Sequence, residues 1–327
     1  MLVLGFVSLA FGVAGGLARL TPLPVAPSAI ALHGALMVSA FFGTVISLER
    51  AVALGRAWGY LAPLAAGLGG VLLLFGHAHA GFISMTCAAA MLVAATLAAL
   101  ARQRSIEMGI LVAGALAWLV GNGSIFLGLP AVPWWIAFFA LTIGGERLEL
   151  SRYLKRGPLV RGSFVALMGA LLVAPLEPRV LGGVLVLLAL WLLAFDLARV
   201  TVRQSRLPRY AAACLLAGYV WLAVGGVLIA LQVNYGAALH AIFVGFVFSM
   251  VFGHAPIILP AVLRKAFPYH PVLYLPLALL HGSLAVRLFW PQAGAWGNAA
   301  AIALFILTAL VLVTRVDRRQ TARAPSG

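Results

Sequence analysis

Runs of about 18 to 22 apolar residues recur along the whole chain, and no other feature constrains its fold as much. Coiled at 1.5 Å per residue, a run of that length crosses the roughly 30 Å hydrocarbon core of a bilayer. With 64% of 327 residues hydrophobic and 9% charged, the chain lies outside the range of soluble globular domains. It reads as an all-α polytopic membrane protein with twelve transmembrane helices. These fall at about residues 2–17, 29–48, 60–76, 82–100, 108–127, 134–145, 163–176, 180–198, 210–231, 239–263, 272–289 and 298–313. Residues 1–314 are expected to form one domain and 315–327 a polar cytoplasmic tail. Met1 leads straight into an apolar run with no basic stretch before it, so the first residues read as a span and not as a secretory leader.

Charge orients the spans. The net charge of +15 would suit a nucleic-acid partner, but the Lys and Arg residues sit in short loops, as topogenic charge does. Of 22 Lys and Arg residues, all but Arg19, Arg179 and Arg287 fall on one side of a twelve-span threading. The positive-inside rule makes that side cytoplasmic, with both termini there, in a bacterial-type inner membrane. Trp134, Trp135, Trp290 and Trp296 then lie near the outer boundary, where amphipathic rings are favoured. Cys87 and Cys214 both lie within apolar runs and suggest no disulfide framework.

Polar residues inside such spans are costly, so each one that is present asks for a reason. The tenth stretch, LHAIFVGFVFSMVFGHAPIILPAVL, carries His240 and His254. On an unbroken α-helix, 14 residues place the two rings within about 40° of one face and about 21 Å apart along the axis. His33 opens the second span at the depth of His240, near the outer face. Two neutral imidazoles at matched depth on different helices can ligate one haem iron from opposite sides. Gly34 and Gly245 leave room for a flat macrocycle, and Phe41, Phe42, Phe243 and Phe246 could line its edge. The plainer alternative is a pair of unrelated interfacial histidines bonded to backbone. The second, sixth and tenth spans end in GTVISLER, TIGGERLEL and MVFGHAPI, a faint four-span repeat that suggests three arcs of four helices.

The patterns HGALMVSAFFGT in the second span and HAIFVGFVFSMVFGH in the tenth resemble the NnrS family of haem-containing membrane proteins. More distantly, they are similar to subunit I of haem-copper oxidases and nitric oxide reductases. The resemblance implies twelve spans in three arcs and a low-spin haem b held by His33 and His240. It also implies a role around nitric oxide, denitrification or nitrosative stress, with nitric oxide as a small gaseous ligand and an electron donor that the motifs do not identify. The departures are specific. Ala238 and Ile242 flank His240 where the oxidases carry a second histidine, and the sixth and seventh spans hold no histidine for copper. An oxidase-type binuclear centre is therefore not expected, and enzyme status stays undecided. Two axial histidines would favour electron transfer over gas binding.

Other groups offer further sites. His254 with His281 would supply a second haem, although a histidine beside Pro256 and Pro260 also serves to satisfy freed backbone groups. Glu49-Arg50 and Glu146-Arg147 end the second and sixth spans, with Asp196 near the inner end of the eighth. That cluster could bind a divalent cation or pass protons, or it is a set of Glu–Arg pairs at the cytoplasmic boundary. His77 and His79, with Met85 and Cys87 beyond, present soft ligands suited to copper. The competing reading is a haem-free proton-coupled transporter or permease using Glu49, Glu146 and His254. A third is a factor that assembles haem or copper into a partner. No Walker loop, zinc-protease motif or nucleophile–base pattern is present.

Overall fold

Each expected apolar run coils into helix in the computed structural model. It describes the chain except residues 152, 153, 155, 156, 264 and 322–327, so the end of the expected tail lies outside the described residues. Among the described residues there is no strand. Among the described residues, nine helices are long and apolar enough to cross a membrane: His33–Leu54, Ala57–Leu74, Ala78–Arg102, Ile106–Leu127, Pro158–Leu176, Pro178–Phe195, Arg206–Ala230, Tyr235–Pro260 and Pro291–Thr314. These are called here the second to fifth, seventh to tenth and twelfth helices. The first (Leu2–Ala18) and eleventh (Pro271–Arg287) are apolar but shorter. The sixth, Val132–Ser151, carries Glu146, Arg147 and Glu149 in its last turns.

Local chemistry sets the ends of these helices. Ser105 caps the fifth, its hydroxyl accepting from the Met108 N–H at 3.2 Å, which satisfies one of the amides left open at a helix start. Asn234 caps the tenth in the same way through Ala237 at 3.2 Å. It holds a left-handed backbone, φ 43°, which asparagine tolerates better than most residues. Gly55, φ 66°, ends the second helix in the conformation that favours glycine. Prolines open the seventh, eighth and twelfth helices, where the missing N–H costs nothing.

The chain folds as two compact units, Met1–Leu181 and Gly182–Gly327. In the first, the first helix packs on the second and third, and the third to sixth pack each on the next. In the second, the ninth packs along the tenth, the tenth on the eleventh and the eleventh on the twelfth. The eighth meets the ninth where Gly182 and Gly226 abut; a β-carbon at Gly182 would lie 2.5 Å from the Gly226 carbonyl oxygen. Small residues give membrane helices such close approach. In a chain this apolar, polarity marks the interior better than hydrophobicity does. Ser39, Asn122 and Ser249 are fully buried, while Leu187, Leu190, Leu307 and Leu310 are exposed, as lipid-facing residues are.

Among the described residues, two helices carry π turns in their interior. Leu36–Phe42 in the second and Ala241–Phe248 in the tenth are π-helical. The sixth helix, the other member of the suspected repeat, is α-helical from Val132 to Ser151. A π turn closes i→i+5, takes in about one extra residue and sets the following helix back by about 100°. This corrects the count made for an unbroken helix: His240 and His254 are about 140° apart around the axis, not about 40°. They do not share a face.

Candidate functional site

The head of the second helix is built by its neighbours in the first unit. The short helix Pro27–Ala31 leads into it. Arg19 fastens that segment, donating from Nε to the Ile30 carbonyl at 2.9 Å and from Nη2 to the Ala31 carbonyl at 3.0 Å. Ser28 donates to the Leu74 carbonyl at 2.8 Å. His33 follows, half-buried, with its ring against Gly16 of the first helix; its Cδ2 would lie 3.4 Å from a β-carbon there. Beside it, a β-carbon on Gly34 would meet nothing within 4 Å. The expected room next to this histidine is present.

At the head of the tenth helix, His240 Nδ1 lies 2.6 Å from the Gly236 carbonyl. A carbonyl only accepts, so Nδ1 carries the hydrogen. Nε2 faces Arg287 Nη2 at 3.0 Å, and guanidinium only donates, so Nε2 is the acceptor. That is the neutral tautomer an imidazole uses as a metal ligand, with the other nitrogen oriented by a carbonyl. The protonation state is the one a metal-bound imidazole has, but Arg287 occupies the nitrogen that a metal would take. Gly245 does not provide the expected room. A β-carbon there would lie 2.5 Å from Trp221 Cβ and 2.8 Å from Leu284 Cδ2, so that notch is filled by tryptophan.

The two π runs are held by like means, each within its own unit. In the first unit, Trp118 lies against Gly43, the residue after the π run, and its Nε1 donates to Ser39 Oγ inside the run at 3.0 Å. Ser39 donates to Asn122 Oδ1 at 2.7 Å, Trp135 Nε1 donates to the same oxygen at 3.0 Å, and Asn122 Nδ2 donates to the Met85 carbonyl at 3.1 Å. In the second unit, Trp221 lies against Gly245 inside the π run and donates to His281 Nδ1 at 2.9 Å. His281 Nε2 lies 3.0 Å from Oγ of Ser249, the residue after the run. Indole only donates, so Nδ1 is the acceptor and, with the ring neutral, Nε2–H donates to the serine. Each run is thus pinned by a tryptophan seated on a glycine and tied to a serine, directly or through His281.

That bonding occupies both nitrogens of His281, which was expected to share a second haem with His254. His254 presents the ligand tautomer, Nδ1 bonding the Met250 carbonyl at 2.7 Å. Ser249, the partner of His281, is five residues before it on an α-helical turn, about 140° around the axis. The two histidines are therefore engaged on different sides of the tenth helix.

The remaining expected groups separate. His77 and His79 are exposed, and His79 meets the Phe126 ring edge-on at 5.5 Å. Met85 is fully buried and Cys87 exposed, facing opposite ways on the fourth helix. Among the described residues no group of three or more His, Cys, Asp or Glu side chains could hold a metal ion. Near the ends of the second and sixth helices, Arg50 pairs with Glu146 at 2.6 Å, which joins the two helices. Arg147 is buried, and Arg161 pairs with Glu107 at 2.8 Å. Reading the sequence missed the Trp118–Ser39–Asn122 knot, the Trp221–His281–Ser249 chain and the Arg287–His240 pair. Asn122, an amide inside an apolar run, was the available signal for the first.

A family profile described as a domain of unknown function, DUF8744, matches residues 1–314. No curated protein and no solved structure matches the chain.

Proposed function

We propose that this chain, which belongs to the DUF8744 family, is a membrane haem protein with His33 and His240 as its iron ligands. One observation carries the reading: each of these histidines stands just ahead of a π run clamped by a tryptophan on a glycine. π segments inside helices concentrate at functional positions, and two built alike behind two histidines are a costly coincidence. The neutral tautomer of His240 and the open space at Gly34 support it; iron binding would displace Arg287 from Nε2 of His240. Twelve spans with both termini cytoplasmic are supported by the charge asymmetry; the three-arc arrangement rests on the faint four-span repeat and the resemblance. A haem b would supply one-electron transfer, or gas binding at an iron with one ligand removed. The chain's part is to keep the imidazoles neutral and oriented, through the Gly236 carbonyl in the case of His240. A link to nitric oxide rests on the resemblance of the two motifs alone.

The test is a reduced-minus-oxidised visible spectrum of the purified protein after expression with ample haem. A sharp α band lost in both His33→Ala and His240→Ala is expected. A colourless wild-type protein, or a band indifferent to both changes, overturns the assignment.

One observation favours a second reading, proton-coupled transport: the partly buried Arg50–Glu146 pair joins the second and sixth helices of the first unit with Glu49 adjacent. Proton flux in vesicles containing wild type but not Glu146→Gln would support it.

A further inference from the structure

The connection between the eighth and ninth helices concentrates four exposed arginines, Arg199, Arg203, Arg206 and Arg209, within eleven residues. We infer that this cluster is a binding site for the phosphate headgroup of an anionic phospholipid in the bordering leaflet. Topogenic charge needs only to be present in a loop; these side chains are also left without counter-charge. The only acid between residues 182 and 316 is Asp196. It is buried, and its Oδ1 accepts from the Ala198 N–H at 2.7 Å. Among the described residues none of the four arginines pairs with a carboxylate.

The backbone gathers them. Arg199 donates to the Ala194 carbonyl, which holds it against the end of the eighth helix. Arg206 takes a left-handed conformation, φ 58°, which turns the chain sharply into the ninth helix and puts Arg206 and Arg209 on its first turn. That 25-residue helix starts with no side-chain cap from Ser205, so its first N–H groups, Pro208 having none, are left unsatisfied by that side chain. Guanidinium matches phosphate through paired N–H groups. Val200, exposed beside Arg199, gives an apolar contact for the lipid below its headgroup.

Each arginine near an anionic surface contributes about fivefold to the partition constant. The test is native mass spectrometry of protein from micelles containing equal phosphatidylglycerol and phosphatidylcholine, with thermal stability recorded alongside. Wild type should retain phosphatidylglycerol preferentially and be stabilised by it. R199Q/R203Q/R206Q/R209Q should lose the preference, and R206Q/R209Q should weaken it by roughly 25-fold. The second variant decides if the first does not insert. R315Q/R318Q/R319Q/R323Q, which removes the same charge from the tail, should behave as wild type. Preference unchanged in the cluster variants, or lost equally in the tail variant, overturns the inference. So does stabilisation by free sn-glycerol 3-phosphate equal to that by the lipid, which would make the ligand a soluble phosphate.

Discussion

Replacing Gly43 by alanine tests whether the first π run is held by its tryptophan. A β-carbon there would lie 2.4 Å from Trp118 Cζ2 and 2.8 Å from Cη2, where ordinary contact begins at 3.4 Å. The indole must retreat by 3.4 − 2.4 = 1.0 Å. It has little freedom to do so: it is fully buried, stacked on Phe138 at 5.3 Å and tied through Nε1 to Ser39 at 3.0 Å. Overpacking costs about 1–3 kcal/mol, and losing the hydrogen bond about 1 kcal/mol more. Alanine recovers about 0.5–1 kcal/mol of helix propensity, for a net loss of about 1–3 kcal/mol. Gly34→Ala, on the same helix with nothing within 4 Å, receives only the gain. Thermal unfolding in detergent should therefore place Gly34→Ala at or above wild type and Gly43→Ala roughly 3–10 °C below it. Trp118→Phe added to Gly43→Ala should cost less than the sum of the two single changes, since the bulk is removed where the methyl intrudes. If Gly43→Ala and Gly34→Ala melt together, the clamp is not holding the run.

Asn122→Leu should destabilise the first unit by about 3–5 kcal/mol, because it strands the Trp135 N–H, the Ser39 hydroxyl and the Met85 carbonyl in one dry knot; a monodisperse protein with an unshifted melt would refute this. His281→Gln can still accept from Trp221 and donate to Ser249, so it should retain both stability and any haem absorption, whereas His281→Phe should lose about 2–4 kcal/mol by leaving both partners unmet. An absorption band abolished by His281→Gln would instead make His281 a ligand. Glu146→Gln should cost about 1–2 kcal/mol, since the side chains of Arg50 and Glu146 are only 18% and 26% exposed and a charge-assisted hydrogen bond is weakened without being lost. A large loss on calorimetry would mean the pair is more deeply coupled than its exposure suggests.

Much of this molecule is legible in its residues alone. Apolar runs of spanning length must be helical, because lipid offers no partner for an open backbone amide. Gly55, Ser105 and the helix-opening prolines mark ends by local chemistry that acts wherever the rest of the chain lies. His33 and His240 stand out because a polar ring inside an apolar run is costly and invites a use. The π runs were not legible. Nothing local to LMVSAFF or AIFVGFVF demands i→i+5 bonding; the run is held from outside, by Trp118 on Gly43 and Trp221 on Gly245, and those partners are distant in sequence. The same is true of Arg287, counted from its position as a boundary charge but placed by tertiary packing against His240. Likewise His281 read as a ligand by depth, and its neighbours Trp221 and Ser249 engage both of its nitrogens. In a chain where almost every residue is apolar enough for lipid, composition decides that helices form. Only the fitting of one helix surface to the next decides which face turns inward, where a helix must overwind or bulge, and which polar atom meets which.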